Sequence, residues 1–292
     1  MLGSVSSLQP AEPEVSSQPP APRRGPPPIL RELKLAWEHR YLVGSFVAND
    51  LRYRYTGGSI GLFWTVVNPL VELVTYTFVF NILLGVTFGP EGSTVHYSLF
   101  LFTGMVCWFA LAEGLTRSTY AITENAHLIK KINFPAAVLP AHVVLSAGVN
   151  QFMRMIILTL GVMILGNGVS VHILFVPAFM VVQMCFVLGL GFILATANVY
   201  FRDAGHWVNA VLPAWMFVSP IFYPPAAYPR KFQILLQLNP VAHMVGVYQE
   251  LILNQRFPDT RQILMTVIWA VLTLVIGYSV FAHHRKNFAD LV

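Results

Sequence analysis

HILFVPAFMVVQMCFVLGLGFILATANVY, residues 172–200, holds no Asp, Glu, Lys or Arg in 29 positions. A helix crossing a hydrocarbon layer of roughly 30 Å needs about 20 mostly apolar residues. This run exceeds that length and has room to tilt or to project beyond the bilayer. The whole chain agrees with it, being 55% hydrophobic and only 11% charged, with a mean hydropathy of +0.61. Such a composition belongs to the membrane class rather than to one large soluble domain.

Five further segments meet or approach the spanning length: 61–85, 97–115, 136–165, 207–223 and 263–282. The fifth in chain order, 207–223, is short and ends in prolines. The expected fold is therefore an all-α integral membrane protein of six transmembrane helices. Residues 1–28 carry eight of the 20 prolines and no apolar run, so they read as a disordered cytoplasmic tail rather than a signal peptide or a span. Residues 29–56 follow as an amphipathic interfacial helix region, with Leu30, Leu33, Trp37 and Tyr41 near one face and Arg31, Lys34 and Glu38 elsewhere. Residues 57–292 form the six-span domain.

Charge sets the orientation, because Lys and Arg in short loops favour the cytoplasm. With both termini inside, 13 of the 18 Lys and Arg fall on the cytoplasmic side. Arg230, Lys231, Arg256 and Arg261 fall outside, and Arg154 lies within a span. A net charge of +5 would suit nucleic acid only if it clustered on a soluble face. Here it flanks apolar runs, and topology explains it better. Between spans five and six, QILLQLNPVAHMVGVYQELILN (233–254) is apolar but divided by Asn239-Pro240 into halves too short to span. Two short re-entrant helices in the outer leaflet fit that pattern.

Several chemistries are missing. The chain has no Gly-x-x-x-x-Gly-Lys-Ser/Thr loop to cradle phosphates and no His-Glu-x-x-His zinc pattern. Adjacent His283 and His284 point in different directions on a helix and make a poor metal site. Extramembrane carboxylates are few and scattered, so catalysis by this chain is not expected. Cys107 and Cys185 lie inside apolar runs and read as packing residues. No cofactor or metal is expected in this chain.

Five separated stretches point to one family. RYRYTGGSIGLFWTVVNPL (52–70) resembles the entry to the first span in permeases of type-2 ABC exporters, particularly those for O-antigen, capsule and teichoic acid. ENAHLIKKINFPAAVLP (124–140) looks like their cytoplasmic loop. NVYFRD (198–203), SPIFYP (219–224) and LNP (238–240) are similar to later motifs. The resemblance runs from the interfacial helix to the last span. It implies a homodimeric permease in the bacterial inner membrane, joined to two ATPase subunits that bind ATP and Mg, with lipid-linked polysaccharide as cargo. It also implies that a short helix between spans two and three sits in a cleft of the ATPase.

If 124–134 is helical, Leu128 and Ile132 share one face and Asn125 and Ile129 a neighbouring one, with Lys130 and Lys131 at the rim. An apolar centre and charged rim is ordinary interface anatomy; topology anchoring alone also accounts for the two lysines. Pro135 can start the next helix. Arg202 and Asp203 are further candidates for ATPase contact, or for pairing with each other. Glu72 and Arg154 are costly intramembrane charges, which line the pathway, pair across it, or form a structural ion pair. Phe78, Trp108, Phe109, Phe152 and Trp215 are candidates for stacking on sugar in a channel, although lipid-belt and core roles are common for such residues. A permease for a lipid or small molecule would look much the same. A secondary transporter should show internal repeats, and no clear repeat is present. A membrane glycosyltransferase would need more exposed carboxylates.

Overall fold

The computed structural model describes residues 40–56, 61–83, 85, 94–131, 134–165 and 168–292, and among these the regular structure is helical throughout. The helices are α1 (Arg40–Thr56), α2 (Gly61–Thr77, running into a π-helical turn at Phe78–Leu83), α3 (Thr94–Tyr120), α4 (Ala126–Ile129), α5 (Val138–Leu165), α6 (Val176–Tyr200, after a 3-10 turn at Val171–Phe175), α7 (Ala204–Val218), α8 (Gln233–Leu238), α9 (Pro240–Ile252), α10 (Thr260–His284) and α11 (Phe288–Leu291). Four segments among the described residues are long and apolar enough to cross a membrane: Tyr97–Tyr120, Val138–Leu165, Val171–Tyr200 and Thr260–Leu291. All four fall on segments read as spans from the sequence. Of the interfacial-helix residues, Leu30, Leu33 and Trp37 lie outside the described residues, as does the 1–28 tail.

α3 is the axis of the bundle. In its most apolar window 78% is buried inside the protein, against 22% for α5 and α10. α5, α6, α9 and α7 all pack on it. Because hydrocarbon offers polar groups no partners, the buried polar side chains must find one another. Gln183 of α6 does this at the centre. Its Nε2 donates to the Cys107 carbonyl of α3 at 2.9 Å. Its Oε1 accepts from Gln151 of α5 at 2.9 Å and from the Tyr248 hydroxyl of α9 at 2.7 Å. Four helices thus meet on one amide.

Segment 207–223 folds differently from the expectation. α7 starts earlier, at Ala204, and stops at Val218. Ser219 is extended, as the residue before a proline prefers, and its hydroxyl bonds back to the Trp215 carbonyl at 2.9 Å. The hydroxyls of Tyr223 and Tyr228 then bond the Phe217 and Val218 carbonyls, left open at the helix end. The apolar 233–254 stretch does form two short helices divided at Asn239. The Asn239 side chain caps α9 by accepting from the Val241 amide at 3.0 Å, a standard N-cap bond. At 13 residues, α9 extends about 20 Å. Its buried face, including Val241, Val245 and Tyr248, lies against α3.

The broadest contact among the described elements is α6 against α10, and there backbone meets backbone. A Cβ at Gly189 would collide with the Thr273–Leu274 peptide, and one at Gly277 with the Gly189 carbonyl. Small residues permit this approach between helices in lipid. Gly277→Leu is therefore expected to destabilise the detergent-solubilised protein by at least the roughly 1–3 kcal/mol of overpacking, measured as a lower melting temperature. Val275→Leu, on the exposed side of the same helix, should leave it unchanged.

Candidate functional site

The segment between α3 and α5 folds as turns around a single helical turn, not as the continuous 124–134 helix expected. The Asn125 amide donates to the Ala121 carbonyl at 2.9 Å, and the Thr123 hydroxyl to the Tyr120 carbonyl at 3.1 Å. Such local bonds offer the backbone an alternative to helix. α4 then covers only Ala126–Ile129. The side on which its apolar residues lie is also decided. Leu128 and Ile129 are half-buried against the protein's own cluster of Ile122, Leu139, Phe281 and Phe288. Glu124, His127, Lys130 and Lys131 are left exposed. The surface this segment presents is thus charged, and Asn125 is half-buried at its edge. Ile132 lies outside the described residues. Pro135 opens the turn into α5, its carbonyl accepting from the Val138 amide at 2.9 Å.

A charge cluster that the sequence did not reveal stands at the same end. Arg54 of α1 contacts Glu113 of α3 at 2.7 Å, and Asp50 of α1 contacts Arg117 of α3 at 2.6 Å. Asn150 of α5 donates to both Glu113 oxygens at 3.0 and 3.1 Å. Burial raises the Asp50 carboxyl, but the Arg117 hydrogen bond and charge, with Ser146 and Arg54, outweigh it and hold Asp50 below the usual carboxylate range. The helix α1 also rests on the far end of the α3–α5 segment. The Phe46 ring lies 6.5 Å from that of Phe134 and 5.2 Å from that of His142. α1 thus contacts the last turns of α3 before the segment and the segment itself at Phe134. Reading Arg54 and Arg117 only as topology anchors missed this; the Glu113/Arg117 spacing of four inside one helix was the available signal.

Farther into the bundle, Glu72 and Arg154 meet within one chain, at 3.9 Å between α2 and α5. The Arg154 guanidinium stands over the Phe109 ring at 4.7 Å. Three candidates thus form one contact. Trp108 and Trp215 meet edge to face at 6.1 Å, but Trp108 is only 3% exposed and sits in the core. The Trp215 indole donates to Asn239 at 3.0 Å. Phe78 and Phe152 keep about half their surface exposed, at 50% and 48%. Trp215 also borders a cavity of about 670 Å³ between α6 and α7, lined by Leu190, Leu194, Trp207, Leu212 and other apolar side chains. Asp203 edges it, and Arg202 is exposed beside Asp203 in the turn joining the two helices. Among the described residues, no group of His, Cys, Asp and Glu is arranged to hold a metal.

Two outcomes are expected. Glu72→Arg or Arg154→Glu alone leaves like charges facing each other in apolar surroundings and should cost several kcal/mol, about 3–5 by analogy with broken buried pairs. The double exchange should recover most of the yield and thermal stability. Asp50→Asn, in the half-buried cluster, should cost about 1–2 kcal/mol, measured as a lower melting temperature. Because the Asp50 pKa is depressed, its contribution is present above the ordinary carboxylate range and is lost as pH falls through its folded value.

Residues 41–253 match the model of the ABC-2 type transporter family. The chain is 28% identical over 267 residues to an O-antigen export system permease protein RfbA of Myxococcus xanthus, covering 90% of this chain and 100% of that one. It is 26% identical over 264 residues to a protein of the same description from Klebsiella pneumoniae, covering 89% and 99%. To the polysialic acid transport protein KpsM of Escherichia coli it is 20% identical over 244 residues, covering 82% and 92%. With the family model spanning most of its length and helices able to cross a membrane on either side of the charged α4 segment, this chain belongs to the ABC-2 type transporter family.

Proposed function

We propose that this chain is the channel-forming permease subunit of an ATP-driven exporter of lipid-linked polysaccharide, of O-antigen, capsule or teichoic-acid type. The observation that carries the reading is the likeness to an O-antigen export permease along that protein's whole length. In this reading the chain sits in the bacterial inner membrane with both termini cytoplasmic. α2, α3, α5, α6, α7 and α10 are its six spans, and α8 and α9 dip into the outer leaflet. Two copies form the channel, and two copies of a separate ATPase, which bind ATP and Mg, dock at the basic end.

The chemistry of the surfaces supports this division of labour. Exposed Glu124, His127, Lys130 and Lys131 give an ATPase a polar surface whose specificity comes from charge matching. The inward-facing Leu128 and Ile129 fasten that surface to the subunit core. A push on α4 passes directly into α3 and α5, and through the Asp50–Arg117 and Arg54–Glu113 contacts into α1. Arg202 and Asp203 are a second contact in the same plane. On the pathway side, the cavity between α6 and α7 is apolar enough for the hydrocarbon anchor of the cargo. Exposed ring surface on Phe78 and Phe152, and the open edge of Trp215, are the candidates for sugar stacking; Trp108 is assigned to the core.

Affinity purification from native membranes tests the class. A P-loop ATPase recovered in stoichiometric amount, and lipid-linked glycan accumulating inside cells lacking the chain, are the expected results. Accumulation of a different lipid would move the cargo assignment. Transport by the chain alone, driven by an ion gradient without ATP, would overturn the reading.

A further inference from the structure

Beyond α10 the chain makes a 3-10 turn at Arg285–Asn287 and then the four-residue helix α11, Phe288–Leu291. Nothing about this segment requires a buried aromatic, yet Phe288 is 0% exposed. Its ring lies 5.2 Å from that of Phe281. The turn is fastened on its other side to the end of α6: the Tyr200 ring lies 5.3 Å from that of His284, and the Asn287 amide donates to the Tyr200 hydroxyl at 3.5 Å. α11 touches both α6 and α4. Leu128 and Ile129 of α4, together with Val292, pack half-buried on the cluster that Phe288 completes. Leu291, by contrast, is 44% exposed beside them.

A single helical turn has no stability of its own, because nucleation costs more than one turn returns. The pose of α4 is therefore set by what lies beneath it. We infer that Phe288 is a positioning residue for the docking surface: its buried ring is the floor on which Leu128 and Ile129 rest, and it holds α4 in the orientation the ATPase engages. This rests on the docking role proposed above and adds to it a part of the chain far from α4 in sequence. Loss of the floor lowers the fraction of molecules whose α4 is in the competent pose, and apparent affinity falls by that fraction while the intrinsic contacts stay unchanged.

The test uses the full chain in nanodiscs, titrated with its co-expressed ATPase, with hydrogen exchange read over residues 121–131 and over α6. Phe288→Ala is expected to weaken binding by about tenfold and to raise exchange in 121–131 while α6 stays protected. Phe288→Leu should restore both. Val292→Ser, which trims the same floor at its edge, provides a milder variant if Phe288→Ala fails to insert, and should shift both readouts in the same direction. Lys130→Glu/Lys131→Glu is the comparator, weakening binding without raising exchange. The inference fails if the floor variants bind and exchange like wild type while the lysine variant weakens binding; docking through α4 would then stand without it. It fails equally if exchange rises throughout α6, which would mean general destabilisation. Unchanged binding by the lysine variant removes the docking reading and the inference with it.

Discussion

An amide side chain in hydrocarbon must be satisfied by the protein itself, and Gln183 shows how this fold meets that demand. Its two polar atoms engage α3, α5 and α9 from a position on α6. Without water to compete, each of these bonds has no good alternative. The arrangement fixes the rotation of four helices about their own axes, which nonspecific apolar packing does poorly. The short helix α9 joins it through the Tyr248 hydroxyl. Too short to cross a bilayer, α9 is kept in the bundle by the Tyr248 hydroxyl at the centre and by the Asn239 cap at its start, whose other bonds reach Trp215 and Ser219.

From that centre the two ends of the molecule diverge in chemistry. One carries the α1–α3–α5 charge cluster and the exposed rim of α4. The other carries Tyr223 and Tyr228 closing the end of α7. α3 joins the two, since it holds Cys107 in the amide network, Phe109 beneath Arg154, and Glu113 and Arg117 in the cluster. Centrally buried, α3 is joined to α4 by only the short run of turns at 121–125. The charge cluster ties α1 to α3 through the Arg54–Glu113 and Asp50–Arg117 contacts.

The sequence made the long elements legible and concealed the contacts between them. Runs such as 172–200 announce themselves because a bilayer demands length and apolarity together, and the Asn239-Pro240 break was visible because proline and a capping residue act locally. The end of α7 was misplaced because apolar residues continue through Ile221 and Phe222 after Ser219-Pro220 has already stopped the helix. The α4 segment was the more instructive case. The 124–134 helix on which its two faces were drawn is only the single turn Ala126–Ile129, and Leu128 and Ile129 both pack on the protein's own cluster. That cluster joins residues near α4 in sequence, Ile122 and Leu139, to Phe281 and Phe288, more than 150 positions away. Glu72 and Arg154 were visible as intramembrane charges; their meeting within one chain was not.

The close approach of Gly189 and Gly277 bears on how the protein is made. When α6 enters the membrane, the groove around Gly189 faces lipid, and its mate emerges only after α7, α8 and α9 have been synthesised. Until then the face of Gly189 that meets the Thr273–Leu274 peptide has no partner backbone. The bundle is therefore completed only by its last long helix, and a chain interrupted before α10 would lack the broadest contact described.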